Sequence, residues 1–172
     1  MLDKIREIFN NEASAVRNIP VTESFGEAVE LIYKHVHCKK GKLVTSGMGK
    51  AGQIADNIAT TFCSTGTPSV YLHPSEAQHG DLGILQENDV FLVISNSGKT
   101  REIVELIELK NNLYPQVPVI VITGQEESPL AQKADCFIST GAPSEVCPLG
   151  LTPTTSTTVM TVIGDALVVL LM

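Results

Sequence analysis

Two loops rich in glycine and hydroxyl residues carry the chemistry most readily read from this chain. Ser95-Asn96-Ser97-Gly98-Lys99-Thr100 ends like a Walker A nucleotide loop. That pattern needs a glycine five residues before Gly98, and the position holds Val93, so this is not an NTP loop. What remains is Ser95, Ser97 and Thr100 at the start of a helix. Three hydroxyls and free backbone N–H groups there make a site for one phosphate. A lone hydroxyl would read as a helix cap; three with a glycine favour a ligand.

Ser46-Gly47-Met48-Gly49-Lys50-Ala51-Gly52 contains G-x-G-x-x-G between a strand and a helix. A dinucleotide site would need an acid at the end of the next strand to hold the ribose. That strand is followed by His73 and Pro74, with Glu76 the nearest acid, so a nicotinamide-dependent oxidoreductase is disfavoured. Ser46, Gly47 and Gly49 still suit a closely held small anion, since glycine lets backbone approach it. A third run, Thr154-Thr155-Ser156-Thr157-Thr158, opens the last helix. Hydroxyl residues cap helices, but five in a row exceed a cap, and threonine is a poor helix former. Thr154, Thr155 and Ser156 are therefore counted as substrate or phosphate ligands. His35 and His37 read as surface residues of a helix. His73 and His79 lie in an irregular polar stretch where functional residues concentrate.

The elements that must position these loops follow from hydrophobic patterning. Leu2, Ile5, Ile8 and Phe9 share one face of an N-terminal helix. A second helix starts near Ser24, where Ser24 and Glu27 fit a capping box. Alternation then predicts strands at 43–46, 69–72, 90–94, 119–122 and 136–139, with helices between and a last helix from about Thr154. Val90–Ile94 is apolar throughout, as in a strand buried on both faces. Residues 1–40 thus form N-terminal helices and 41–172 a doubly wound five-stranded parallel α/β core, flavodoxin-like, in one domain. Ligands of such sheets bind beyond the carboxyl ends of the strands, where both Gly/Ser loops fall.

Composition narrows the function class. The 172 residues are 43% hydrophobic and 18% charged, a globular balance, with 5% aromatics and no Trp, so the core is aliphatic. A net charge of −7 argues against nucleic acid as a partner. No stretch is long enough to span a membrane, and the charged N-terminus lacks a signal region. Cys38, Cys63, Cys136 and Cys147 form no C-x-x-C pair and read as reduced, mostly buried thiols of a cytoplasmic protein.

Taken in order, Ser46–Gly52, Ser64-Thr65-Gly66-Thr67-Pro68, His73-Pro74, His79-Gly80-Asp81-Leu82-Gly83, Ile94–Gly98, Glu145-Val146-Cys147-Pro148-Leu149, Pro153–Thr158 and Gly164-Asp165-Ala166-Leu167 are specific. From residue 41 onward the chain resembles the sugar-isomerase (SIS) domain of the arabinose-5-phosphate isomerases. The resemblance implies interconversion of D-ribulose 5-phosphate and D-arabinose 5-phosphate, a step toward Kdo for lipopolysaccharide or capsule, without a cofactor. It implies a homotetramer with shared active sites. Lys50, Glu102 and Glu145 match residues tied to catalysis, His79 a substrate-site histidine given by a neighbouring subunit, and Gly66 and Thr67 substrate contacts. His73 matches a histidine that takes inhibitory zinc. Family members continue past the last helix to a His-Pro-Gly-Gly segment and often to paired CBS domains; the sequence stops at Met172, and further residues are expected after it.

Such an isomerisation passes through an enediol and needs a base, an acid and an electrostatic stabiliser. Glu102 or Glu145, with His79, would move the proton, and Lys50 would stabilise negative charge. The sequence does not rank the two glutamates. Two rivals stay open: a phosphosugar-sensing domain without turnover, and an isomerase of another sugar phosphate. A nucleotide-linked end product is a further expected ligand of the phosphate site, as an inhibitor.

Overall fold

The structure, a computed structural model, describes residues 1–172. Five parallel strands form one sheet: β1 (Leu43–Gly47), β2 (Ser69–Tyr71), β3 (Val90–Ile94), β4 (Val119–Thr123) and β5 (Cys136–Ser139), in the order β2-β1-β3-β4-β5. Strand β3 pairs with β1 from Leu43↔Val90 to Gly47↔Ile94, so the two strands end level, beneath the two glycine loops.

The period of two along each strand divides the core. Leu43, Val90, Leu92, Ile94, Ile120 and Ile122 face one layer of helices, made of α2 (Ser24–Ile32), α3 (Lys50–Ser64) and α7 (Thr155–Leu171). Val44, Phe91, Val93, Val119 and Val121 face the other, made of α4 (Pro74–Ala77), α5 (Arg101–Leu113) and α6 (Pro129–Gln132). Both faces are covered, which is why β1, β3 and β4 are buried at every residue. No helix is long and apolar enough to cross a membrane.

Several local expectations change. Helix α1 (Leu2–Arg17) forms, but it buries no residue, and Leu2 and Phe9 stand 68% and 67% exposed. Glu23, not Ser24, is the N-cap of α2, and no side chain caps it. Ser24 Oγ pairs instead with Thr22 Oγ1 at 2.7 Å, so the capping box does not form. The helix then widens into a π turn, Tyr33–Cys38. There His35 is buried, with Nδ1 3.2 Å from the Asn88 carbonyl, and His37 Nε2 lies 3.1 Å from Thr67 Oγ1. His35 is therefore not the surface residue that helical spacing suggested, and His37 is half-buried. Only Cys136 among the thiols is buried; Cys38 and Cys63 are exposed, and all four are free. The stretch after β2 is less irregular than expected, with α4 and a 3₁₀ turn at Asp81–Ile84.

Candidate active site

Strand β1 leads into α3 on one face of the sheet and β3 into α5 on the other. The connections diverge, leaving a crevice at the carboxyl ends of β1 and β3, the switch point of this strand order. A cavity of about 290 Å³ fills it, lined among others by Met48, Lys50, Ser95, Ser97, Thr100, Glu145 and Ser156. It lies at the small end of ligand pockets, which start at about 300 Å³, so it suits a small metabolite better than a dinucleotide.

Each glycine loop is shaped by close packing. A side chain at Gly52 would meet the Gly47 carbonyl oxygen at 2.6 Å, so the fingerprint serves the tight seat of α3 on β1. Ser46 is fully buried and its Oγ donates to the Leu72 carbonyl at 2.7 Å, joining β1 to the residue after β2; the hydroxyl proton is engaged and Ser46 does not line the cavity. Lys50 begins α3 and its Nζ donates to Gln53 at 3.2 Å. A cation at a helix N-terminus opposes the helix dipole, so its place on the cleft wall favours an anionic ligand.

On the other wall, Ser95 and Thr100 hydroxyls bond each other at 2.9 Å, and Ser97 Oγ accepts from Lys99 N at 3.2 Å. Thr100 is the N-cap of α5, yet no side chain caps that helix, so its N-terminus can donate to an anion. Gly98 makes this turn at φ +60°, and a Cβ there would overlap Ser128, the cap of α6. Gly98→Ala is expected to cost about 1–3 kcal/mol, measured as a lower urea midpoint.

The helix α7 terminus is already satisfied. Glu145 Oε2 accepts from Thr154 N and Thr155 N, both at 2.8 Å, and from Thr154 Oγ1 at 3.4 Å. Ser156 N and the Ser156 hydroxyl donate to the same carboxylate. Burial works to raise the Glu145 pKa, but the Ser156 hydroxyl and the three backbone N–H groups prevail and hold it below the ordinary carboxylate value. The run Thr154-Thr155-Ser156, read in the sequence as a phosphate ligand, thus gives its backbone donors to Glu145. The reason is geometric: the loop returns Glu145 to the helix end that the hydroxyl run announces.

Other predicted residues lie outside this cleft within one chain. Glu102 is half-buried in the first turn of α5, two residues past Thr100, and does not line the cavity. His79 is exposed after α4. His73 caps α4, its Nδ1 accepting from Ser75 N at 3.3 Å. No three His, Cys, Asp or Glu side chains come together closely enough to hold a metal, so zinc at His73 would have no such set in this chain. Gly66 and Thr67 precede β2, at the amino end of the sheet, away from the cleft. Two features escaped the residue patterns. Glu12 of α1 reaches Thr155, and the Cys147 thiol is drawn down to about 6 by hydrogen bonds from Thr152 backbone and side chain, then Leu151 and Leu149.

The SIS domain matches residues 35–170. The chain belongs to the SIS domain family. The arabinose 5-phosphate isomerase KdsD of Shigella flexneri is 53% identical over 133 residues, 77% of this chain and 40% of that protein. The chain therefore spans under half the length of this curated relative. Among solved structures, a Bacteroides fragilis protein described as a candidate phosphosugar isomerase involved in capsule formation is 70% identical. It superposes with a TM-score of 0.99, covering 100% of this chain and 90% of that one. An Escherichia coli CFT073 protein in complex with arabinose 5-phosphate is 37% identical, with a TM-score of 0.90, covering 99% and 88%. The SIS fold and its five-stranded parallel sheet are thus shared with relatives well above the level of fold likeness alone.

Proposed function

We propose that this SIS domain interconverts D-ribulose 5-phosphate and D-arabinose 5-phosphate. The observation that carries the reading is the cleft itself: an uncapped helix N-terminus with three hydroxyls on one wall, facing Lys50 and the ionised Glu145. The names and ligand of the relatives supply the sugar.

In this reading the phosphate sits on the Ser95–Thr100 turn, because the α7 terminus is taken by Glu145. The carbonyl end then lies toward Lys50. A base removes the proton from C2 of the aldose, or C1 of the ketose, and returns it to the neighbouring carbon. A second group moves the hydroxyl proton between the two oxygens. Nothing is oxidised or reduced overall, so no redox cofactor is required. Lys50 stabilises the enediolate charge in a partly dehydrated cleft. Glu145 accepts from several donors and is held ionised, which suits an orienting group better than a proton carrier. Glu102 is left as the carboxylate for proton transfer, with His79, each reaching a cleft through assembly of a homotetramer with shared sites. The exposed apolar face of α1 and the apolar groove between residues 16–25 and α7 fit such an assembly. The product would enter Kdo synthesis for lipopolysaccharide or capsule in the cytoplasm, and a nucleotide-linked sugar would compete at the phosphate turn.

The test is conversion of D-ribulose 5-phosphate, followed by NMR with chelator present. Appearance of D-arabinose 5-phosphate is expected. Saturable phosphosugar binding without conversion would replace the reading with a sensor.

A further inference from the structure

We infer that Glu12, on α1, is a positioning residue for the cleft: it holds the Thr155 hydroxyl and, through it, the loop that carries Glu145. The inference rests on the isomerase reading above. Thr155 Oγ1 donates to Glu12 Oε1 at 2.9 Å and accepts from Val146 N at 3.1 Å. A hydroxyl has one proton, so the acceptor that takes it fixes where the lone pairs point. With the hydroxyl proton directed at Glu12, the lone pairs face the Val146 N–H, and the peptide beside Glu145 is held. Thr155 is 1% exposed, so solvent has little access to replace Glu12 as acceptor.

A second observation sets Glu12 apart from ordinary surface acids. Its Oε2 is buried without a hydrogen-bond partner, an arrangement that opposes folding. It occurs on a helix that buries no whole residue, so packing of α1 does not explain it. The contact joins residues 143 apart in sequence and ends one residue from the cleft carboxylate. A locally unfavourable polar group connected to a site in this way is accounted for by what it positions.

Turnover of Glu12→Ala should fall about tenfold, the equivalent of about one hydrogen bond to a charged group. KM should stay within about twofold, since the phosphate is held on the opposite wall. Glu12→Gln keeps a carbonyl acceptor for the Thr155 hydroxyl and should restore turnover to within about threefold of the parent. A second readout needs no substrate: the pH dependence of Cys147 alkylation, followed by mass spectrometry of its peptide. Cys147 directly follows Val146, and its thiol is drawn down to about 6 by the groups of 149–152, so the alkylation midpoint reports how this loop is held. It should rise in Glu12→Ala and stay in Glu12→Gln. Were the parent chain to show no isomerase activity, the reaction assignment would fail, and the Cys147 arm alone would decide the positioning role. An unchanged Cys147 midpoint in folded Glu12→Ala would overturn the inference. So would equal losses in the two variants, because the accepted hydrogen bond would then be irrelevant.

Discussion

Glu145→Gln is expected to lose stability and turnover together. The carboxylate accepts backbone N–H groups from Thr154, Thr155 and Ser156, plus the Ser156 hydroxyl. An amide of the same shape presents an NH₂ where one acceptor oxygen stood, so at least one donor of α7 faces another donor. Hydrogen bonds to a charged group contribute about 1.5–3 kcal/mol each, and partial exposure of this site reduces that. A loss of about 1–2 kcal/mol in urea unfolding is expected. Turnover should drop by about 10² or more, since the wall facing Lys50 loses its charge and its fixed geometry. The pH dependence has a definite sign. Because the folded-state pKa is depressed, the stabilisation is complete above the ordinary carboxylate value of 4.5 and is lost as pH falls through the lower folded value. Acid titration of the melting temperature should show this step in the parent and not in the variant.

Glu102→Gln should separate the two properties. The side chain is half-buried in the first turn of α5, where a negative charge contributes about 0.3–1 kcal/mol through the helix dipole. Unfolding should barely move. Turnover should fall by about 10²–10⁴, the range for loss of a general acid or base. A decrease under about fivefold, in a chain that still isomerises, would remove Glu102 from proton transfer and leave His79 as the remaining carrier. The contrast with Glu145→Gln is the informative part: in the proposed reading one glutamate holds the cleft together and the other moves the proton.

How far the sequence led depends on what each pattern reports. Val90–Ile94 was legible as a doubly buried strand because no polar residue interrupts it, Val119–Ile122 was legible as a strand and is buried just as fully, and the glycine loops marked the carboxyl ends correctly. The Ser24–Glu27 pattern misled because capping depends on where the chain turns, and it turns one residue earlier, at Glu23. His35 looked exposed by helical spacing, but the π turn rotates it toward Asn88. The hydroxyl run at 154–158 was correctly seen to exceed a cap. Its partner was hidden, because nothing local in sequence says that Glu145 folds back onto it. Glu12 was out of reach for the same reason: one hydrogen bond across the whole length of the chain leaves no periodic trace.

Between β5 and α7 the chain runs from residue 140 to 154 without regular structure, and this loop builds one wall of the cleft. Its shape depends on a few side-chain bonds, whereas the sheet beneath depends on strands paired along their length. Lengthening such a connection is inexpensive: doubling a loop adds only about 0.6 kcal/mol of closure entropy. The fold therefore separates what must be inherited intact from what can vary. Insertions or deletions around Pro148–Leu151 can reshape the space above the Ser95–Thr100 turn while the sheet and the glycine loops stay as they are. A lineage built on this scaffold can change which small molecule it accepts without first having to rebuild its core.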